Sequence, residues 1–215
     1  MNDNKHISKA VISRLPRYYR CLRELLNQNI ERVSSEELSN MMKTTASQVR
    51  QDLNHFGGFG QQGYGYNVRN LYNEIGQILG VSDPHNLILI GAGNLGRALV
   101  RFPNFPENGF VFQGVFDVDP KIIGRTINGL QVHDAESIGL FLEHNDVDIA
   151  VICVPTDCAR SVAALAYDYG IRYFINFAHT DLMLPDDAII KSIHILDSML
   201  ELSYSITTSK NKDSK

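Results

Sequence analysis

The chain lacks the features that would carry it into or across a membrane. No apolar run in its 215 residues is long enough to span a bilayer, and residues 1–9 are polar and charged rather than signal-like. Cysteine is scarce as well. Cys21, Cys153 and Cys158 form neither a CxxC pair nor an even framework, so no disulfide scaffold is expected and a reducing cytoplasm is the simplest setting. Cys153 sits in an apolar strand and Cys21 on a helix, which predicts buried, inert thiols. No metal site is expected.

A strong charge of either sign is also missing, the formal net charge being −4. The charge is unevenly spread. Residues 1–79 carry ten Lys/Arg against seven Asp/Glu, and residues 80–215 carry ten against seventeen. A weakly basic head on an acidic body predicts different partners for the two parts. The length allows one or two domains, and a hydrophobic content of 44% is enough for real cores.

The most informative stretch is residues 86–101. Leu87 to Ile90 form an unbroken apolar run, the signature of a strand buried on both faces of a parallel sheet. Gly91, Gly93 and Gly96 follow in G-x-G-x-x-G spacing, and Leu95, Ala98 and Leu99 give a helix face that must stop before Pro103. Glycine suits each position for a separate reason: a tight turn, close approach to a pyrophosphate, and close helix–strand packing, with free amides at the helix start. A second strand, Phe110 to Phe116, ends in Asp117, 21 residues beyond Gly96. This fold places there the carboxylate that binds the adenosine ribose. A carboxylate at that point repels a 2′-phosphate, which favours NAD(H), although Lys121 and Arg125 nearby soften the inference. The plain alternative is a glycine turn beside a solvated acid, and a coenzyme A site shares the loop without explaining Asp117.

Upstream, residues 8–28 read as a helix with Ile12, Leu15, Tyr19, Leu22 and Leu26 on one face, its regular part beginning near Pro16. Ser34-x-x-Glu37 is a capping box opening a helix through Met42; Thr45-x-x-Gln48 is a second, opening a helix to His55 that stops at Gly57. Two short capped helices joined by a tight turn form a helix-turn-helix. Val49, Leu53 and Phe56 should face the core, which leaves Ser47, Gln48, Arg50, Gln51 and Asn54 outside. Gln, Asn and Arg can contact base edges in a major groove, although most such polar faces are merely solvated.

Residues 56–66 hold five glycines among aromatic and amide residues, which predicts a hairpin wing that approaches phosphates closely. Val68, Leu71, Tyr72, Ile75 and Leu79 give a fourth helix ending at Gly80, and Ser82-Asp83-Pro84 reads as a linker. Residues 1–80 therefore read as a winged helix-turn-helix. The candidate DNA-contacting set is Lys43, Thr45, Ser47, Gln48, Arg50, Gln51 and Asn54, with Gly58, Gly60, Gln61, Gly63 and Tyr64 from the wing.

Beyond Asp117 the alternation continues. A helix is expected over Ala135–His144, a strand over Val147–Cys153, a helix over Asp157–Tyr169 and a strand over Ile171–Ile175. A late strand near Ile193–Leu196 and a helix from Ser198 to about Thr207 follow, with a frayed tail from Ser209. This is a doubly wound parallel sheet, whose ligands sit outside the carboxyl ends of the strands. The candidate coenzyme set is Gly91, Ala92, Gly93, Asn94, Leu95, Gly96 and Asp117, with Val154, Pro155, Asn176, Phe177 and Ala178 toward the nicotinamide.

Several of these stretches together resemble the Rex family of bacterial redox-sensing transcriptional repressors. They are Ser47–Leu53, Phe56–Gly60, Gly63–Tyr66, Gly91–Gly96, Phe116-Asp117-Val118-Asp119-Pro120 and Asn176-Phe177-Ala178. The resemblance covers nearly all of residues 8–205. It implies an α/β protein with a winged-helix DNA-binding domain over residues 1–80, a Rossmann-type NAD(H)-binding domain over 85–196, and a domain-swapped helix with a polar tail over 197–215. It further implies a homodimer on an inverted-repeat operator that weighs NADH against NAD+ and leaves DNA when NADH binds. Family members often couple the domains through an arginine, a tyrosine and a partner aspartate, which align with Arg20, Phe102 and His194. Phe102 cannot donate a hydroxyl hydrogen bond and His194 reverses the charge when protonated, so that relay departs from the family pattern.

The competing expectation is an NAD-dependent dehydrogenase with an N-terminal helical domain. It needs an acid or base beside the nicotinamide, for which His179 is the candidate. No arginine stands beside His179 to hold a carboxylate substrate, and few residues remain for a substrate domain.

Overall fold

The computed structural model describes residues 8–54, 60–61 and 64–212, and the chain folds as two compact units that divide between Asp83 and Pro84. The first unit contains α1 (Lys9–Asn27), β1 (Arg32–Val33), α2 (Ser35–Met42), α3 (Ala46–Asn54), β2 (Gly60–Gln61), β3 (Gly65–Asn67) and α4 (Val68–Leu79). The capping box of α2 forms as the sequence predicts: Ser34 Oγ accepts from the Glu37 amide at 3.1 Å, and Glu37 Oε2 accepts from the Ser34 amide at 2.7 Å. The helix closes on Lys43 in the left-handed region, with the Thr44 amide returning to the Ser39 carbonyl. Thr45 caps α3 through the Gln48 amide at 3.1 Å, but the Gln48 side chain does not return to complete a box. The wing is the antiparallel pair β2–β3, in a three-stranded sheet ordered β1-β3-β2. The strand β1 has no counterpart in the sequence reading.

Helix α1 departs from expectation in two ways. It starts at a Ser8 cap and runs unbroken through Pro16 instead of beginning there. Proline deprives the Ile12 carbonyl of its helical donor, but Ile12 and Pro16 lie on the exposed face, where water takes the donor's place. The buried stripe keeps Leu15 and Leu22 but lies one residue earlier at its other three positions. Val11, Leu15, Tyr18, Leu22 and Leu25 enter the core, whereas Ile12 is 45% exposed and Tyr19 and Leu26 sit at the margin. They meet Leu38 and Met42 of α2, Val49 and Leu53 of α3, and Leu71 and Ile75 of α4. His55, Phe56, Gly57, Gly58 and Gly63 lie outside the described residues.

The second unit contains β4 (His85–Ile90), α5 (Asn94–Val100), α6 (Asn104–Glu107), β5 (Phe110–Asp117), β6 (Thr126–Ile127), β7 (Leu130–Asp134), α7 (Ile138–His144), β8 (Ile149–Ile152), α8 (Thr156–Asp168), β9 (Tyr173–Asn176), β10 (Ile189–Ser192) and α9 (Ile195–Lys212). Its seven strands run β10-β9-β8-β4-β5-β7-β6, parallel except for the β6–β7 hairpin. The apolar run of β4 explains itself: Leu87 and Leu89 face one core with Val100 of α5, and Ile88 and Ile90 face the other with Ala159 and Ala163 of α8. The chain winds from β4 outward to one side, then crosses to β8 and winds to the other. The topological switch point therefore falls between β4 and β8.

The C-terminal elements correct the sequence reading. The last strand is Ile189–Ser192, paired in register with Tyr173–Asn176, and not Ile193–Leu196. The apolar residues from Ile195 recur in pairs, 195/196 and 199/200, a helical period, so the segment starts α9 instead. That helix continues past Ser209 to Lys212, where a frayed tail was expected. The β6–β7 hairpin was also missed, although Asn128-Gly129 is a strong two-residue turn signal and both residues adopt positive φ.

Candidate functional site

Parallel pairing levels four strand ends. Ile90 pairs with Phe116 of β5 and Ile152 of β8, and Ile152 pairs with Asn176 of β9. Asp117, the last residue of β5, and Gly91, Cys153 and Phe177, which follow β4, β8 and β9, thus lie one step past the same rung. Three inter-strand steps separate the first from the last, about 14 Å. A dinucleotide laid across these ends would meet Asp117 first, then the glycine loop, then the residue 154–155 and 176–178 loops.

Each part of this rim has a physical reason for its residues. Gly91 adopts φ +103°, and a Cβ there would overlap the Cys153 carbonyl, so the β8 loop can cross against it only because the side chain is absent. A Cβ on Gly96 would overlap the Gly91 carbonyl and press on Leu89, which fixes how closely α5 lies on β4. At Gly93, by contrast, a Cβ would meet nothing within 4 Å. Gly93 caps α5 with no side-chain hydrogen bond, leaving an open approach to the first-turn amides.

Asp117 ties the rim together. Its Oδ2 accepts from the Ala92 amide at 2.6 Å, and its Oδ1 from the Val118 and Asp119 amides at 2.8 and 2.9 Å. The carboxylate thus holds the glycine loop against the end of β5, and with three amides bound its Oδ2 keeps one lone pair for a further donor. Leu95 is exposed beside the loop, while Ala92 is buried beneath it. Asn176 is fully buried and serves its own loop: its Nδ2 donates to the Thr180 carbonyl at 2.8 Å and its Oδ1 accepts from the Ala178 amide at 3.0 Å. Val154 and Phe177 are half-buried and Pro155 is exposed, which leaves an apolar lip beyond the ends of β8 and β9. Burial pushes the Cys153 thiol up to about 12, so it stays protonated and inert.

His179 has an imidazole rather than an arginine beside it. Its ring stacks on His194 with centroids 5.5 Å apart, and the Nδ1 of His194 is buried without a hydrogen-bond partner. The nearby Arg160 spends its guanidinium on the Asp181 carbonyl and the Thr180 hydroxyl. Phe102 is half exposed and packs edge-on against Phe105, and Arg20 is exposed on α1.

In the first unit, Ser47, Arg50, Gln51 and Asn54 form the exposed face of α3, with Lys43 and Thr45 exposed at the turn before it and Gln48 half-buried. Arg50 Nη1 donates to Ser35 Oγ at 3.0 Å, which steadies it on the surface. Tyr64 is 68% exposed at the wing, its carbonyl accepting from Arg32 and its ring 5.9 Å from that guanidinium.

The sequence reading passed over Asp52, which is fully buried on α3. Arg14 grips it at 2.7 and 2.6 Å, joined by the Tyr18 hydroxyl at 3.1 Å and Gln48 Nε2 at 2.8 Å. Burial alone would raise its pKa; the bonds from Arg14, Gln48 and Tyr18 outweigh it and hold the carboxyl below the usual range. A signal existed: Asp52 adjoins Leu53 in the apolar stripe begun by Val49, where a charge requires a buried partner.

Comparison with known proteins separates the readings. Residues 6–54 match the family described as "Putative DNA-binding protein N-terminus", and residues 82–180 match "CoA binding domain". The chain is 48% identical over 204 residues to the redox-sensing transcriptional repressor Rex of Caldanaerobacter subterraneus subsp. tengcongensis, covering 95% of this chain and 91% of that one. It is 47% identical over 203 residues to the protein of the same name from Clostridium botulinum, covering 94% and 97%. The chain belongs to the Rex family. Members bearing this name are transcriptional repressors, so the chain is a redox-sensing regulator and not an enzyme, and the dehydrogenase alternative is set aside. The crystal structure of RSP in complex with β-NAD+ and operator DNA superposes with a TM-score of 0.89 at 46% identity, covering 97% of this chain and 96% of RSP. The complex of RSP with β-NADH gives 0.88 at 42%, covering 97% and 98%.

Proposed function

We propose that this chain represses transcription as a homodimer on an inverted-repeat operator, senses the NADH/NAD+ ratio, and leaves DNA when NADH binds. The levelled rim of Asp117, Gly91, Cys153 and Phe177, with its open approach at Gly93, carries the coenzyme half of this reading. Residues 85–196 bind NAD(H). Gly91 to Gly96 receive the pyrophosphate, Asp117 the adenosine ribose, and Val154, Pro155, Asn176, Phe177 and Ala178 surround the nicotinamide, with Asn176 shaping the loop. Residues 1–80 bind DNA. Ser47, Gln48, Arg50, Gln51 and Asn54 face bases, while Lys43, Thr45, Tyr64 and the wing positions Gly58, Gly60, Gln61 and Gly63 reach phosphates and the groove edge.

The dimer is supported by helix α9, which takes in most of the proposed exchanged segment 197–215. Helix α9 leaves Leu196, Met199, Leu200, Leu202 and Ile206 each more than half exposed, an apolar surface that a second copy would bury by helix exchange. A two-fold dimer presents two recognition helices to two half-sites, which an inverted repeat matches. The protein works in the cytoplasm and takes no metal and no membrane. Arg20, Phe102 and His194 are the candidate coupling positions.

The logic is linkage. Coenzyme and DNA favour different arrangements of the dimer, so each weakens the other equally. A 100-fold loss of DNA affinity requires about 2.7 kcal/mol of coupling. Fluorescence anisotropy of a labelled inverted-repeat duplex, titrated separately with NADH and NAD+, tests it. Release at NADH concentrations where NAD+ leaves the complex intact is expected. A complex indifferent to both coenzymes would show that the domains are uncoupled.

A further inference from the structure

Asp52 and Gln48 are four residues apart on α3, one turn of the helix, and the carboxylate constrains the amide. Asp52 Oδ2 accepts from Arg14 Nε and the Tyr18 hydroxyl, and Oδ1 accepts from Arg14 Nη2 and Gln48 Nε2. Four donors saturate the carboxylate, three of them anchored on α1. A glutamine amide can ordinarily turn over and present either a donor or an acceptor. A carboxylate only accepts, so at 2.8 Å from Asp52 Oδ1 the Gln48 nitrogen must face inward and its oxygen outward.

We propose that Asp52 is a positioning residue that sets the polarity of Gln48, so that the recognition helix offers an acceptor oxygen to an exocyclic base amine. Adenine N6 and cytosine N4 are the donors of this kind in the major groove. The glutamine then reads one amine in place of a paired contact to adenine N6 and N7. The inference rests on α3 being the reading helix, as argued above.

The test uses the full-length protein and operator duplexes in anisotropy titrations. A panel of base-pair changes with wild type and Gln48→Ala locates the position whose preference depends on Gln48. On the wild-type protein, removing the exocyclic amine there is expected to cost about tenfold in affinity, the worth of one good hydrogen bond. If the base is adenine, 7-deazaadenine, which lacks only N7, should bind unchanged. Asp52→Asn no longer obliges the nitrogen to face inward. It should lose the preference for the amine-bearing base by a similar factor while NADH affinity stays the same.

An equal loss on removing N7 would overturn the proposal, because the amide nitrogen would then also face the base. So would an Asp52→Asn protein that binds every duplex in the panel more weakly by one common factor. Should Asp52→Asn not fold, the base analogues on the wild-type protein decide alone. A Gln48→Ala panel with no altered preference removes Gln48 from the DNA face and the proposal with it. Arg50→Ala on the same panel then tells separately whether α3 reads bases at all.

Discussion

At Gly91 and Gly96 a methyl group would collide with backbone, whereas at Ser47, Arg50, Gln51 and Asn54 side chains end in solvent. The proposed coenzyme rim is built from main-chain amides, missing side chains and one carboxylate at the ends of parallel strands. The proposed DNA face is built from side chains on the outside of a nine-residue helix whose inner side belongs to the core. In the first region recognition and packing use the same atoms. In the second they use opposite faces of one element. Mutations should therefore separate binding from folding readily at the exposed positions of α3, less so where Gln48 is bonded to the buried Asp52, and hardly at all on the glycine loop.

The sharpest break of that contrast is Gly96→Val. A branched side chain would force α5 away from β4, costing about 3 kcal/mol by overpacking, and NADH binding should disappear together with part of the thermal stability of the second unit. A protein that keeps its melting temperature and loses only NADH would show that packing and binding are separable there after all. Next in size is Asp117→Ala, which removes the ribose acceptor and releases the Ala92 amide. NADH affinity should fall about 10- to 100-fold, with discrimination against NADPH relaxed, as read by coenzyme fluorescence titration. Unchanged affinities for both coenzymes would remove the ribose assignment. The smallest effect belongs to Arg50→Ala. It should weaken operator binding about tenfold, with NADH affinity and melting temperature unchanged, because Arg50 is exposed and its bond to Ser35 lies on the surface. Unaltered operator binding would take Arg50 out of the recognition set.

Much of this was legible in the sequence, and the reason differs by element. The β4–α5 turn could be read because its glycines, apolar run and acid are each dictated by backbone sterics at fixed spacing. The α2 capping box is likewise a local device, and it forms with both of its bonds. What escaped depends on context outside any short window. Pro16 suggested a helix start, yet packing at Leu15, Tyr18 and Leu22 carries α1 through it. Ile193–Leu196 looked like a strand, but the edge of the sheet is taken by Ile189–Ser192 and the helical period from Ile195 prevails. The α1 partners of Asp52, Tyr18 and Arg14, lie 34 and 38 residues away, so the sequence could signal only that something must neutralise it.

The levelled rung beneath the coenzyme rim also bears on folding itself. Because the four strand ends hang on one ladder of parallel pairs, a slip of a single residue would carry an end about 3.3 Å along the strand and turn its side chains to the other face. No rim exists in such a misregistered sheet, so a dinucleotide has affinity for the native register alone. Ligand present at 100 times its dissociation constant would add about 2.7 kcal/mol to the native state at the expense of every slipped or unfolded one. A dinucleotide held at the rim would in that sense also select the strand register.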